Sequence, residues 1–310
     1  MVRGQDRVLP LSLSRRRFLE AAALAVSAAA PRPAALASSA LSPRVQVGAH
    51  PWVYAATQPK YDIYPILDQI FADVAYAGMD GLELMHTALQ PADSVERISG
   101  LIDTHHLPVI GMSYGGAMWD RSQHVGLLKE SQTIIPRLAK LGGKTLGTSV
   151  GAAPKPKTKE QLDAQADFLR KLMKLCADHG IVLNLHNHTY EVENRLHDLK
   201  GTLARIPDVK LGPDLNWLIR GGVDPVRFIH AYGDRIVFLH LRDQKADGKW
   251  SEAMGEGCTD FVAIGKALSD IHFAGHAVIE LAHESGFKPT RPLRESLKIS
   301  RQFVRKTLGY

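Results

Sequence analysis

Residues 185–191 read LHNHTYE, so two histidines stand two positions apart and a glutamate follows three after the second. Imidazoles with pKa values near neutral move protons or bind metals, and a nearby carboxylate can do either. The stretch completes the apolar run IVLNL (181–185), which reads as a buried strand. Other short apolar runs end in the same residue types. Glu83 and His86 lie at or after GLELM (81–85), Asp214 in VKLGPDL (209–215), His240 in RIVFLHL (235–241) and Glu280 in HAVIEL (276–281). Singly, each has an ordinary explanation. A strand-end histidine is commonly a hydrogen-bonded core residue, Asp214 could cap the next helix, and Glu280 could pair with Arg242. As a set they ask for more, because such groups are costly to bury without partners. Glu191, Asp214, His240 and Glu280 offer three oxygen donors and one nitrogen. That set suits a divalent ion such as Mn²⁺, Mg²⁺ or Co²⁺ better than a thiolate-bound structural zinc.

The elements that must position these residues follow from periodicity. Eight strand candidates lie at 44–50, 81–85, 108–114, 144–150, 181–186, 209–215, 235–241 and 276–281, with helix-spaced segments between them. Leu162, Ala166, Leu169, Met173 and Cys176 share one helix face, as do Ile66, Ile70 and Val74. Gly78, Gly143, Gly180 and Gly275 punctuate the approaches to the following strands. Thr158, with Gln161 three residues later, has capping-box spacing. Eight such units in about 270 residues predict a single (β/α)₈ TIM barrel over residues 41–310. The competing doubly wound sheet would usually show a glycine-rich phosphate loop after its first strand, and here that position reads AHPWVY. In a barrel, all the residues named above converge at the C-terminal rim.

The formal charge of +6 is concentrated near the start of the chain. Residues 1–40 hold six of the 38 basic side chains and two of the 32 acidic ones, leaving 32 against 30 in the rest. The body therefore lacks a strong electrostatic footprint for nucleic acid. Residues 14–20, SRRRFLE, closely resemble a twin-arginine (Tat) export signal. Alanine-rich residues 21–30 and the small-residue segment ALASSA (35–40) follow it. That order matches a signal peptide, and the apolar stretch is shorter than the roughly 20 residues of a membrane span. Residues 1–40 are thus expected to be a leader handled by the Tat machinery. The product is expected to be periplasmic or secreted, without a stable membrane anchor. Cys176 and Cys258 show no CxxC spacing. Two free thiols are expected, with a single bridge between them as the alternative.

At these residues the chain resembles the sugar phosphate isomerase/epimerase superfamily, the xylose isomerase-like TIM barrels, over roughly residues 44–308. The marks are GLELM, HNHTYE (186–191), DLNW (214–217), HLRD (240–243), GEGCTDF (255–261) and VIELAHE (278–284), each weak alone but placed in order. The resemblance implies one divalent metal, Mn²⁺ first, with Mg²⁺, Co²⁺ or Zn²⁺ as alternatives. Asp214, His240 and Glu280 fall on the family's ligand pattern. Many relatives carry a glutamate where this chain has His186. The sequence is similar to a branch with an HNHxxE motif, which makes Glu191 the expected first ligand and His186 or His188 the alternative. His186 and His188 would then serve proton transfer, with Glu280 as the carboxylate alternative, while Glu83, His86, Trp217 and Arg242 would contact a carbohydrate substrate. Arg242 stands where the family often has lysine, and its role is open. The implied chemistry is proton abstraction next to a carbonyl in a keto-sugar, inositol or 3-keto glycoside. Epimerisation, isomerisation, dehydration and glycoside elimination all share that step. Two other readings are a secreted sugar-binding protein without catalysis and an endonuclease IV-like DNA repair enzyme. The near-neutral body and the leader argue against the second.

Overall fold

The computed structural model describes residues 45–310. The expected leader, residues 1–40, lies outside the described residues. Eight parallel strands form one sheet: β1 (Gln46–Ala49), β2 (Gly81–Met85), β3 (Val109–Gly115), β4 (Thr145–Ser149), β5 (Val182–Leu185), β6 (Lys210–Leu211), β7 (Phe238–Leu241) and β8 (His276–Ile279). Neighbours pair in chain order and β8 pairs with β1. The seam between β6 and β7 is closed by two isolated parallel bridges, Leu211 to Ile236 and Asp214 to His240. The result is a (β/α)₈ TIM barrel.

Helices cover the outside: α1 (Leu67–Tyr76), α2 (Ser94–His105), α3 (His124–Lys140), α4 (Lys159–Asp178), α5 (Thr189–Arg205), α6 (Leu215–Arg220), α7 (Pro225–Tyr232), α8 (Phe261–Asp270) and α9 (Leu293–Leu308). Their apolar faces follow the sequence spacing. Ile70 and Val74 of α1 are buried, as are Leu162, Ala166, Leu169 and Cys176 of α4. Two helices, α6 and α7, lie between β6 and β7. Among the described residues no helix is long and apolar enough to cross a membrane. Cys176 and Cys258 are both free thiols.

Strand 6 is shorter than its apolar run suggests. Only Lys210 and Leu211 pair within the sheet. Gly212 still donates to Leu185, but Pro213 has no N–H to donate, and Asp214 turns out of the strand to cap α6. Strand 7 likewise begins only at Phe238, after a 3₁₀ turn at Gly233–Arg235 and the isolated bridge at Ile236. Within the barrel, Ile110, Phe238 and Val278 form a separate apolar cluster. Gly48 and Gly81 make room for it, since a Cβ on either would stand within 2.5 Å of the Ile110 side chain. The apolar filling below leaves the rim free for polar side chains.

The capping box is present as expected. Gln161 N–H donates to Thr158 Oγ1 and Thr158 N–H donates to Gln161 Oε1. Thr158→Ala removes the first of these, so urea unfolding should report a loss of about 1 kcal/mol with an unchanged denaturant slope.

Candidate active site at the strand ends

A cavity of about 480 Å³ opens at the C-terminal ends of the strands. Five of the chain's 14 histidines line it: His50, His86, His186, His188 and His240. His240, almost fully buried in its wall, contacts three other members of the cluster. Its Nε2 is 2.6 Å from Glu83 Oε2, and its Nδ1 is 3.0 Å from His186 Nδ1 and 3.1 Å from Glu280 Oε2. Arg242 Nη2 donates to Glu280 Oε1 at 2.7 Å and to Asp214 Oδ2 at 3.1 Å. The other oxygen of Asp214 accepts the Trp217 N–H at 2.9 Å, capping α6. Both ordinary roles foreseen for Asp214 and Glu280 are therefore real, and they coexist with membership of the cluster. Asn187, between the two histidines of the motif, bonds the backbone N–H and C=O of Asp214 and so ties β5 to β6 above the last paired residue.

Burial sets the electrostatics. It lowers His50 and His188, the latter to about 4, and takes His186 well below the usual imidazole range. Burial also opposes charge on His240, but Glu83 and Glu280 outweigh it and push His240 up to about 9. Burial raises Asp214 against the pull of Arg242. Glu280, buried but facing Arg242, His50 and His240, is held well below the usual carboxylate range.

His186, Asp214 and His240 each present one ligand atom, all within 4.8 Å of one another. Two donors held about 2.1 Å from one ion at right angles are about 3 Å apart, close to the His186–His240 separation. The charge agrees. Three buried carboxylates, Glu83, Asp214 and Glu280, face one buried guanidinium, Arg242. With neutral imidazoles, the cluster is two positive charges short of balance. A divalent cation fits both the donors and that balance.

Glu191 is not brought into this group. It is the third residue of α5, where its Oε2 accepts the His188 N–H at 2.8 Å in a capping box. Its Oε1 lies 2.8 Å from Ser149 Oγ. Burial raises the Glu191 carboxyl to about 7. His188 and Glu191 stand at capping-box spacing, but histidine is not among the Ser, Thr, Asp and Asn residues that mark such a box in a sequence. Ser149 Oγ also stands 3.1 Å from His188 Nδ1 and 2.9 Å from Tyr190 Oη. Glu83 does not line the cavity but lies fully buried against His240, whereas His86, Trp217 and Arg242 line it. His50, Ser113 and Ser149 were missed, although each closes or nearly closes a strand run. His50 Nδ1 accepts the Trp52 N–H at 3.2 Å, so its Nε2 carries the proton and donates to Ser113 Oγ at 2.9 Å.

An aromatic wall stands over one side. Trp217 and Trp250 meet edge to face, with centroids 5.7 Å apart, and Arg220 stacks 4.0 Å over Trp250. Trp250 Nε1 donates to Asn216 Oδ1, and Asn216 Nδ2 donates to Gln244 Oε1. Asp243 accepts N–H groups from Gly255, Gly257 and Thr259, which ties the HLRD and GEGCTDF segments together. A Cβ on Gly257 would stand 2.3 Å from Asp243 Oδ1. Trp52 lines the cavity and stacks on Tyr61, while Trp119 does not reach it.

Comparison with known proteins agrees with this architecture. The chain is 25% identical over 248 residues to inosose dehydratase of Geobacillus kaustophilus (strain HTA426), covering 69% of this chain and 79% of that protein. Inosose dehydratase of Clostridium beijerinckii (strain ATCC 51743 / NCIMB 8052) is 25% identical over 170 residues, 49% of this chain and 56% of that one. Among solved structures, L-ribulose 3-epimerase superposes with a TM-score of 0.70 at 21% identity, covering 86% of this chain and 95% of that one. A 3-keto-D-glucoside 4-epimerase from E. coli gives 0.66 at 21%, covering 84% and 100%. The family match spans residues 71–305, and the chain belongs to the xylose isomerase-like TIM barrel family.

Proposed function

We propose that this chain is a divalent-metal-dependent enzyme that moves a proton at a carbon next to a carbonyl in a keto-sugar, inosose or 3-keto glycoside. The observation that carries this reading is the His186–Asp214–His240 cluster at the floor of a histidine-lined cavity, set among three buried carboxylates and one guanidinium that together are two positive charges short of balance. His186, Asp214 and His240 would hold the ion, with Glu280 beside them. Bound there, it would supply Lewis-acid stabilisation for the negative charge that develops on the carbonyl oxygen. Glu83 accepts from His240 Nε2–H and so presents Nδ1 to the cluster, the outer-shell role that fixes a ligand's tautomer. Arg242 holds Asp214 and Glu280 in place and adds a fixed positive charge at the cavity wall. His188 reaches the cavity with Nδ1 already engaged, leaving Nε2 for the substrate, and is the base or acid of the reaction. Trp217 and Trp250 offer ring faces to the sugar. His86 and His50 are placed for its hydroxyls.

The names of the relatives support the substrate class: two are inosose dehydratases and others are ketose or keto-glucoside epimerases. Export by the Tat route, proposed from residues 1–40, would place the reaction in the periplasm or outside the cell.

Incubated in D₂O with keto-sugars, inososes and 3-keto glucosides, the metal-loaded protein should exchange one substrate C–H for deuterium, read by proton NMR. Absence of both bound metal and exchange sinks the proposal. In metal titrations, Glu83→Gln should weaken binding about 10–100-fold and His186→Ala by more than that. Glu191→Gln should leave affinity near wild type. Loss of metal in Glu191→Gln with retention in His186→Ala would transfer the ligand role to Glu191.

A further inference from the structure

We infer that Ser149 and Glu191 form a proton relay behind His188, so that a proton taken from the substrate carbon by His188 is passed through Ser149 to Glu191. The inference rests on the proton-transfer reading above and assigns the carboxylate of HNHTYE a role away from the metal cluster.

Two hydrogen bonds to Glu191 have a fixed direction, and the relay follows from them once the Tyr190 proton is placed on Ser149. Glu191 is buried, and its Oε2 accepts the His188 main-chain N–H at 2.8 Å. Its Oε1 lies 2.8 Å from Ser149 Oγ. An ionised carboxylate only accepts, so the single hydroxyl proton of Ser149 points to Glu191. Ser149 Oγ is then left to accept. Its two neighbours are Tyr190 Oη at 2.9 Å and His188 Nδ1 at 3.1 Å; Tyr190 Oη also stands 3.1 Å from His188 Nδ1, and in the relay it gives its one proton to the nearer Ser149. The relay thus places the His188 proton on Nδ1, which faces both hydroxyls, and turns a bare Nε2 lone pair to the cavity. The ring is held in this pose by stacking on Tyr190, with centroids 5.2 Å apart and planes 13° from parallel.

Each step balances. The substrate C–H proton bonds to His188 Nε2, and the C–H electron pair stays on the substrate as its enediolate. The Nδ1 proton moves to Ser149 Oγ as the Ser149 hydroxyl proton moves to Glu191 Oε1. Imidazole and hydroxyl end neutral, and the carboxylate becomes a carboxylic acid. The reverse sequence returns the proton to carbon. The relay avoids holding an imidazolium in a buried wall that already contains Arg242, and stores the proton on a group that water does not reach. His188 is the catalytic residue; Ser149, Glu191 and Tyr190 are positioning residues that set its tautomer.

The test uses ¹⁵N-histidine NMR of the Mg²⁺-loaded protein together with the D₂O exchange assay. His188 should show a protonated Nδ1 and a bare Nε2, and Ser149→Ala should abolish that preference. The same variant should slow exchange about 100-fold while substrate KM and metal content stay within about threefold of wild type. Ser149→Thr, which keeps the hydroxyl, should restore both readouts. Glu191→Gln retains a helix cap but cannot take up the relayed proton, and should match Ser149→Ala in exchange. A wild-type His188 protonated on Nε2 overturns the relay, as does Ser149→Ala exchanging within about threefold of wild type. Lack of exchange by the wild type on every substrate would sink the reaction reading, while the tautomer would still decide the relay.

Discussion

Three carboxylates and one guanidinium share the buried rim of an otherwise apolar barrel, and the geometry of the site follows from satisfying them. Taking such charges out of water costs several kcal/mol each unless they are paired and hydrogen-bonded. Arg242 meets that demand for one oxygen each of Asp214 and Glu280. Their second oxygens face a backbone N–H of α6 and the Nδ1 side of His240, and Glu83 takes the Nε2 side of the same ring. One guanidinium cannot offset three carboxylates. One of the two missing charges is offset by a proton drawn onto His240, whose pKa rises while that of its neighbour His186 falls. A divalent cation would meet the same deficit without a proton. Proton uptake and metal binding are thus two answers to one charge imbalance.

Arginine at position 242 fits this arrangement better than lysine would. The guanidinium reaches two carboxylates from one terminal nitrogen, and its Cζ stands 5.5 Å from the Trp217 ring centroid and 5.3 Å from that of Trp250. Lysine offers a point charge without the planar fork or the stacking face. The aromatic wall and the charged floor are therefore mechanically joined. The order of Trp250 depends further on Arg220, which stacks on it and bonds Gly248 O in the same loop.

The barrel was legible because each strand–helix unit writes its own periodicity, and the rim was legible because acidic and imidazole residues rarely end apolar strands. Element ends were less visible. The run at 209–215 reads as one strand, yet Pro213 breaks the ladder and Asp214 serves both a helix cap and the cluster. Glu191 shows the limit most sharply. A carboxylate near two histidines looks like a ligand, but whether it faces the rim cluster or its own helix start depends on how α5 leaves the barrel. Glu83 could be placed on a strand but not beneath His240, since the two are 157 residues apart in the chain. His50 and Ser149 carried the same strand-end signal as the residues that were chosen, and what distinguishes them is the company they keep in space.

The company of Ser149 and Glu191 is itself enforced from behind. Lys157, in the loop after β4, forms a buried ion pair with Asp198 of α5, and Gln165 of α4 bonds both partners. Thr202 takes a further amide proton of Gln165, so the network is satisfied on nearly every side. Such a pair contributes little net stability against an apolar replacement, but losing one member strands a buried charge. Its value lies in register. It ties the loop that leaves Ser149 to the part of α5 that follows the non-helical turn at residues 193–196, two residues beyond Glu191, and a relay built on contacts near 3 Å tolerates little play between its two supports. The Lys157 ammonium, its pKa lowered by burial against the pull of Asp198, is thereby a structural cation. It stands behind the site, outside the ring of residues that line the cavity.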